Sequence, residues 1–276
     1  LLSDGRVEFG IGEGATRLEL HGFGIPAREK RAMALEAAEQ ICNMMVLTPY
    51  PGFEGKSFTM PCRNVLPKPL QTPHPRLWMA CTNRETIKVA ARNGLGALAF
   101  NFIDPEEART WSRSYYDIIK SDECVPLGWS VNANIAMVSA FSMHEDRSEA
   151  IRRGQDNFEF FRYSQQKLVA EDFVPGCSNM WEEFLKARGN ASDRLIQAAQ
   201  QHSEFDGNGI GTPEDMRKHL SALQDSGVDQ VIFLQQAGRN SHKNICESLG
   251  LFSETVMPEF AQDVAEREER KEGELA

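Results

Sequence analysis

Two segments of the sequence combine residue types that could bind a phosphate group. The first, residues 6–16, is a predicted strand followed by the turn Gly12-Glu13-Gly14-Ala15-Thr16. The second, residues 77–86, is an apolar run that ends in Thr82-Asn83-Arg84-Glu85-Thr86 and continues into a helical pattern. A strand, a glycine- or hydroxyl-rich turn and a helix N-terminus together present free N–H groups and a favourable dipole to an anion. The sequence therefore predicts a parallel β/α protein that holds a phosphorylated cofactor at the carboxyl ends of its strands.

The glycine-rich segment admits three interpretations. Gly10, Gly12 and Ala15 satisfy the relaxed dinucleotide fingerprint, but two glycines and a proline within residues 18–26 interrupt the helix that this fingerprint requires. A tight strand exit that needs a positive φ would also select glycine. The third interpretation is a loop whose backbone passes close to a flat ring. The context disfavours only the first of these.

The hydroxyl-rich segment has two interpretations. The hydroxyls of Thr82 and Thr86, the backbone N–H groups between them and the charge of Arg84 suit a phosphate monoester. Ordinary helix capping by Thr82 or Asn83 explains the same residues without a ligand. The spacing alone favours neither.

Composition restricts the class of protein. A chain of 276 residues with 41% hydrophobic content can bury a substantial core. The net charge of −10 argues against a nucleic-acid partner, and no apolar run approaches the roughly 20 residues that span a membrane. The six cysteines show no C-x-x-C spacing, and the six histidines form no ligand pair, so we expect no metal site. Scattered cysteines without a signal peptide indicate reduced thiols and a cytoplasmic protein.

Hydrophobic periodicity predicts an α/β chain of alternating strands and helices. Five strands are expected, at residues 6–12, 77–81, 96–102, 131–141 and 229–235. Five parallel strands can form an open sheet but cannot close an eight-stranded barrel. Between the strands we expect a hairpin near Phe58 and an insertion at about 171–208. The segment from Glu266 to Glu274 is almost all charged, which predicts that residues 264–276 form a disordered tail.

Several segments, in order, resemble the bacterial luciferase-like flavin-dependent monooxygenases. They are residues 5–12 (GRVEFGIG), 19–26 (ELHGFGIP), 68–80 (KPLQTPHPRLWMA), 211–214 (GTPE), 227–232 (GVDQVI) and 256–260 (VMPEF). Each piece is weakly specific, whereas their order over nearly the whole chain is specific. The resemblance does not extend to residues 171–208 or to the charged tail.

The resemblance implies a TIM-type (β/α)8 barrel that is incomplete in this chain. Residues 1–263 would supply strands four to eight, and the first three strands would precede residue 5. Members of the family bind reduced FMN, or in some branches a deazaflavin, at the C-terminal mouth of the barrel. The resemblance therefore implies a flavin-dependent monooxygenase that oxidises a small, hydrophobic organic substrate with O2. The resemblance also suggests a separate flavin reductase as a partner and a homo-oligomeric state.

The resemblance also assigns residues to the site. It places Gly12, Glu13, Gly14 and Ala15 against the isoalloxazine ring, and the phosphate at Thr82, Asn83 and Thr86, with Arg84 beside them. Strand-end residues would form the substrate pocket: Phe100, Phe102, Gln235, Gln236 and Gly238, with Asn101 as the polar candidate for catalysis.

Glu13 departs from the family pattern, because many relatives carry Arg at this position. The departure removes a cation near the flavin and opens the question of how the flavin is contacted. Two other functions remain compatible with the sequence: a deazaflavin-dependent oxidoreductase on the same scaffold, and a non-catalytic fragment of a barrel. A sugar-phosphate barrel ranks last because no predicted strand ends in Lys.

Overall fold

The computed structural model describes residues 1–100, 102–170, 174, 176–189, 209–262 and 264–275. Asn101 and most of the insertion predicted at 171–208 lie outside the described residues. The chain divides into two compact units. Unit 1 comprises Leu1–Asn101, Glu107–Met137 and Gly227–Gln230, and unit 2 comprises Phe102–Glu106, Val138–Ser226 and Val231–Ala276.

The strands in chain order are β1 (Phe9–Ile11), β2 (Phe53–Glu54), β3 (Thr59–Met60), β4 (Leu77–Cys81), β5 (Gly96–Ala99), β6 (Ile135–Ala140), β7 (Ser142–Met143), β8 (Ile210–Gly211) and β9 (Gln230–Leu234). Five of them form one sheet in the order β1-β4-β5-β6-β9. The sheet does not close into a barrel among the described residues, which confirms the predicted fold class with five strands.

Parallel register orders the strands of unit 1. Ile11 of β1 pairs with Met79 of β4, and Cys81 at the end of β4 pairs with Ala99 at the end of β5. Parallel strands end at the same edge of a sheet, so the segments that follow β1, β4 and β5 emerge on one side. These are the segments in which the sequence predicts the cofactor site.

The helices are α1 (Arg17–Gly22), α2 (Lys30–Val46), α3 (Arg84–Arg92), α4 (Pro105–Ile119), α5 (Arg147–Ala170), α6 (Met180–Arg188), α7 (Pro213–Asp225), α8 (His242–Thr255), α9 (Met257–Ala261) and α10 (Val264–Leu275). Helices α8 and α9 are separated at Val256, because Pro258 in the next turn lacks the N–H that an uninterrupted helix would use. The charged segment predicted as a disordered tail lies in α10, whose Glu, Lys and Arg are good helix formers.

The structure agrees with the sequence prediction for one short element and differs from it for two. The hairpin predicted near Phe58 is confirmed as the antiparallel pair β2–β3. Helix α1 was not predicted; a reciprocal capping box between Thr16 and Glu19 begins it. The parallel pair β7–β8 was not predicted either, since two-residue strands leave no periodicity to detect.

Tyr115 of α4 is a fully buried anchor of unit 1. Its hydroxyl lies 2.8 Å from the carbonyl oxygen of Leu95 and 2.9 Å from that of Asn132, and it accepts the N–H of Asn134 at 3.2 Å. Burial raises the pKa of this phenol. The hydroxyl thus satisfies backbone groups that flank β5 and β6 and fixes the helix against both strands.

Unit 2 has its own apolar core. Phe141, Met143, Met216, Leu220 and Val256 form one buried cluster. Ala140, Ile151, Phe158 and Ile210 form a second cluster, against which Phe102 packs. Within the described residues, no helix has both the length and the apolar character that crossing a membrane requires.

Replacing Tyr115 with Phe should lower the free energy of unfolding by about 1–3 kcal/mol, because buried backbone groups lose their partner. The urea-unfolding midpoint measures this loss. Tyr163→Phe is the matched control, since its hydroxyl makes no hydrogen bond among the described residues and its ring contacts, with Phe184 and with the Lys167 ammonium at 5.7 Å, do not involve the hydroxyl. A Tyr115→Phe protein as stable as the wild type would contradict the assignment.

Candidate functional site

The register of β1 and β4 brings the two sequence segments together in unit 1. Gly12 directly follows the residue paired with Met79, and Thr82 directly follows Cys81 at the end of the neighbouring strand. The glycine loop, Gly12–Ala15, and the N-terminus of α3 therefore lie at the same edge of the sheet. Open α/β sheets bind their ligands at this edge.

The two glycines of the loop differ in what they permit. Gly14 has a φ of +80°, and a Cβ there would lie 3.1 Å from the Leu20 side chain, so this position requires glycine. Gly12 is exposed, and a Cβ there would meet no atom within 4 Å. Gly14 fits the predicted strand exit with positive φ. Gly12 leaves the loop backbone uncovered, as close approach to a flat ring would need.

Three side chains fix the glycine loop from outside. The Glu19 carboxylate accepts the N–H of Ala15 at 3.0 Å, which contributes, after the N–H of Thr16, to a lowered pKa of Glu19. Lys30 donates to the carbonyl oxygen of Gly14 at 2.6 Å, and Arg31 forms a two-bond ion pair with Glu13. The loop is held in one conformation before any ligand arrives, which reduces the entropy that binding would cost.

Capping satisfies only half of the donors at the N-terminus of α3. The Thr86 hydroxyl accepts the N–H groups of Thr82 (3.1 Å) and Asn83 (3.2 Å), and the Asn83 side chain accepts the N–H of Thr86 at 3.0 Å. Among the described residues, the N–H groups of Arg84 and Glu85 reach no acceptor. Helix capping by this segment is therefore confirmed, and two backbone N–H donors remain for an anion.

Two further groups define the surroundings of α3. The Arg84 guanidinium, expected to add positive charge, lies 2.7 and 2.9 Å from the two carboxylate oxygens of Glu107 and is about half exposed. The Cys81 thiol is fully buried behind the site, and this burial raises its pKa to about 12. The thiol is therefore protonated, and it donates a hydrogen bond to the carbonyl oxygen of Met79 at 3.3 Å.

Unit 2 contains a separate cavity of about 280 Å³. Its walls combine apolar side chains with a few polar ones: Phe102, Ile103, Asp104, Pro105, Val138, Ser139, Ala140, Gln155, Phe158, Arg162 and His219. The rings of Phe102 and Phe158 pack edge to face at 4.7 Å, and the Arg162 guanidinium lies 6.0 Å from the Phe158 ring. A small cavity of this composition suits an organic molecule with an apolar body and a polar group.

His219 is a cavity residue that the sequence analysis did not select. It is 5% exposed, and its Nε2 lies 2.8 Å from the Ser139 hydroxyl. Because that hydroxyl donates to the carbonyl oxygen of Ala140 at 2.9 Å, we assign Nε2 as the donor to Ser139. The helical spacing in the sequence could have identified this histidine. His219 shares the apolar face of α7 with Met216 and Leu220, where a polar side chain needs a buried partner.

The structure places the residues of the predicted substrate pocket in different surroundings. Phe102 lines the cavity of unit 2, whereas Phe100 belongs to unit 1 and is 43% exposed. Gln235 lines a narrow crevice beside Asn157, and Gln236 is exposed. Gly238 packs so closely on α5 and α6 that a Cβ would lie 2.5 Å from the Asn157 side chain. Asn101, the catalytic candidate, lies outside the described residues.

No group of three or more His, Cys, Asp or Glu side chains in the described part of the chain is arranged to hold a metal ion. All six cysteines are free thiols.

Comparison with known proteins gives a match over most of the chain. A family model described as luciferase-like monooxygenase matches residues 1–230. A stretch of 93 residues is 34% identical to an uncharacterized protein, y4wF, of Sinorhizobium fredii. This stretch covers 34% of the chain and 27% of that relative, so the match spans about a quarter of the relative's length.

Similar solved structures share the fold. The monooxygenase RslO1 from Streptomyces bottropensis has a TM-score of 0.71 at 22% identity, covering 94% of this chain and 70% of its own. The coenzyme F420-dependent tetrahydromethanopterin reductase of Methanopyrus kandleri has a TM-score of 0.61 at 18% identity, with coverage of 94% and 76%. The oxygenating constituent of 3,6-diketocamphane monooxygenase from Pseudomonas putida, in complex with FMN, has a TM-score of 0.57 at 16% identity, with coverage of 92% and 71%. These similarities confirm the barrel type of fold.

Thiol alkylation at pH 8 should distinguish the buried cysteines from the exposed ones. With a pKa of about 12, Cys81 carries thiolate in only about one molecule in ten thousand at this pH, and the pKa of Cys42 is raised to about 11. Iodoacetamide should therefore modify exposed Cys62 and Cys246 in the native protein, and Cys81 only after denaturation. Mass spectrometry of the digested protein reads each site, and native labelling of Cys81 would refute its burial.

Proposed function

The chain belongs to the luciferase-like monooxygenase family of oxidoreductases, and on this premise we propose that it uses reduced FMN and O2 to oxidise a small organic substrate. The observation that carries this proposal is the edge of the sheet in unit 1. There, a fixed glycine loop with an uncovered backbone lies beside a helix N-terminus with two unused N–H donors. A flat ring and a phosphate are the two parts of a flavin nucleotide that such an edge can hold.

The residues of unit 1 fit a flavin nucleotide in the following way. The backbone at Gly12 would contact the ring, because no side chain covers it. The N–H groups of Arg84 and Glu85 would donate to the phosphate, and Thr82 is an exposed residue two positions before Arg84. Thr86 would act indirectly, since its hydroxyl is used to hold the N–H groups of Thr82 and Asn83. Bound reduced flavin supplies the electrons with which O2 is activated.

The cavity of unit 2, whose lining is about equally polar and apolar, would fit a small molecule with both an apolar part and polar groups. Phe102, Val138 and Phe158 would exclude water from it, and Arg162 and Gln155 would orient a polar group at its wall. Exclusion of water matters for this chemistry because it protects a reactive oxygen species from wasteful decomposition. We therefore propose a small organic substrate with a hydrophobic part, which the phenylalanines would contact, and a polar or acidic group, which the polar wall would contact.

A deazaflavin-dependent oxidoreductase is the second candidate function. Two of the similar solved structures are described as F420-dependent enzymes, a secondary alcohol dehydrogenase and the methanopterin reductase. The same edge would hold the phosphate of a deazaflavin. For the FMN-dependent function we propose that a separate flavin reductase delivers the reduced cofactor and that the protein assembles as a homo-oligomer.

An anaerobic titration of the purified chain tests the proposal directly. We expect reduced FMN to bind at micromolar concentration, with Trp fluorescence or flavin absorbance as the signal. Thr82→Ala and Thr86→Ala should each weaken binding about tenfold. Thr82→Ala would remove one hydrogen bond to the charged phosphate, and Thr86→Ala would remove the acceptor that orders the N–H groups of Thr82 and Asn83. The exposed Thr59→Ala is the matched control and should bind as the wild type does.

The same titration with reduced F420 decides between the two cofactors. Tighter binding of F420 than of FMN would favour the deazaflavin function. If the chain binds neither cofactor, the proposed function is wrong, and a non-catalytic role of this chain would replace it.

A further inference from the structure

A narrow crevice lies next to the cavity of unit 2, and it has room for one water-sized group. Its volume is about 10 Å³, against about 280 Å³ for the cavity. Phe158 of α5 lines both spaces. Gly154 and Asn157 of the same helix also line the crevice. Gln155 and Arg162 line the cavity, so the two spaces are neighbours along α5 and meet at the Phe158 ring.

Two buried amide oxygens belong to residues of this crevice and accept no hydrogen bond from the described part of the chain. They are Oε1 of Gln235 and Oδ1 of Asn240. The Asn240 amide is oriented by its Nδ2, which donates to the carbonyl oxygen of Gln235 at 3.4 Å. Buried acceptors are nearly always paired, because an unpaired one destabilises the folded state. Two of them around a space of this size indicate a bound donor that faces both.

The loop that carries both amides, residues 235–240, is fixed on α5. Asn157 Oδ1 accepts the N–H of Arg239 at 2.8 Å, and Asn157 Nδ2 donates to the carbonyl oxygen of Arg153 at 2.7 Å. Both ends of the Asn157 amide are therefore engaged within the chain, and Gln235 and Asn240 supply the acceptors that a ligand would meet. Acceptors that are held in place before binding lose little entropy when a ligand arrives.

The chemistry of the wall decides which donor fits. None of the described residues that line the crevice is charged; besides the amides they include Phe141, Leu234 and Ala237. An ammonium ion would be buried here without a carboxylate, which is unfavourable. A hydroxyl group would supply only one hydrogen for two acceptors. An uncharged NH2 group supplies two hydrogens, so it matches both the number of acceptors and their surroundings.

We propose that Gln235 and Asn240 form a subsite for an uncharged NH2 group of the substrate, such as that of a carboxamide or an aromatic amine. The apolar part of the same molecule would lie in the cavity, against Phe102 and Phe158. This assignment rests on the proposed function, in which the cavity takes the substrate. Gln235 and Asn240 are then specificity-determining residues, because a molecule with a methyl group in place of NH2 leaves both buried oxygens unpaired.

The experiment compares two probes that are nearly equal in size and differ in the donor group, 4-fluorobenzamide and 4-fluoroacetophenone. Titrations followed by fluorine NMR measure both affinities in the absence of any cofactor. The wild type should bind the benzamide at least about fivefold more tightly, although the methyl ketone is the more hydrophobic molecule. Gln235→Met and Asn240→Leu remove an acceptor at similar side-chain size, and each should reduce this preference to less than about twofold. Gln166→Met, at an exposed position of α5, is the matched control and should retain the preference.

Equal affinity of the wild type for the two probes would mean that a water molecule occupies the crevice, and the proposal would be wrong. A preference that persists in both variants would mean that other groups bind the NH2 group, which also overturns it. If Gln235→Met or Asn240→Leu weakens both probes equally, the residue only shapes the wall, and the proposal fails again. Binding of neither probe overturns it as well. Failure of the proposed function is a separate result, because it is read from the FMN titration and the probe titrations contain no flavin.

Discussion

The parallel pairing of β1 with β4 is the interaction on which the candidate cofactor site depends. It joins segments that are nearly seventy residues apart and sets Ile11 beside Met79. The glycine loop and the N-terminus of α3 then leave the sheet at the same edge. A slip of one residue would exchange the two faces of the strand, and the buried Leu77, Trp78 and Met79 would no longer support it.

The local arrangement of charge explains how an acidic chain can contain an anion site. The net charge of −10 is a property of the whole surface, whereas the site is determined by a few groups. Glu13 is neutralised by Arg31 and Glu107 by Arg84, and Lys30 adds a positive charge at Gly14. Backbone N–H groups and the helix dipole add attraction that no count of charged residues includes.

Periodicity and capping signals predicted the regular elements of the site well. Strand β4 has the predicted bounds, and the predicted helix follows it as α3, which Asn83 caps together with Thr86. The prediction failed where elements are short, as in α1 and in the pair β7–β8, since a few residues do not establish a period. It also did not select His219, which is buried inside unit 2.

The sequence by itself determined the features that depend on neighbours along the chain. These are the positive φ at Gly14, the capping of α3, and the parallel α/β class that follows from alternating strands and helices. Only the tertiary structure decided which charged groups meet. Lys30 and Gly14, Arg31 and Glu13, and Arg84 and Glu107 are separated by 16, 18 and 23 residues. Periodicity specifies which face of an element is buried, but the partner of that face is selected by packing among all the elements.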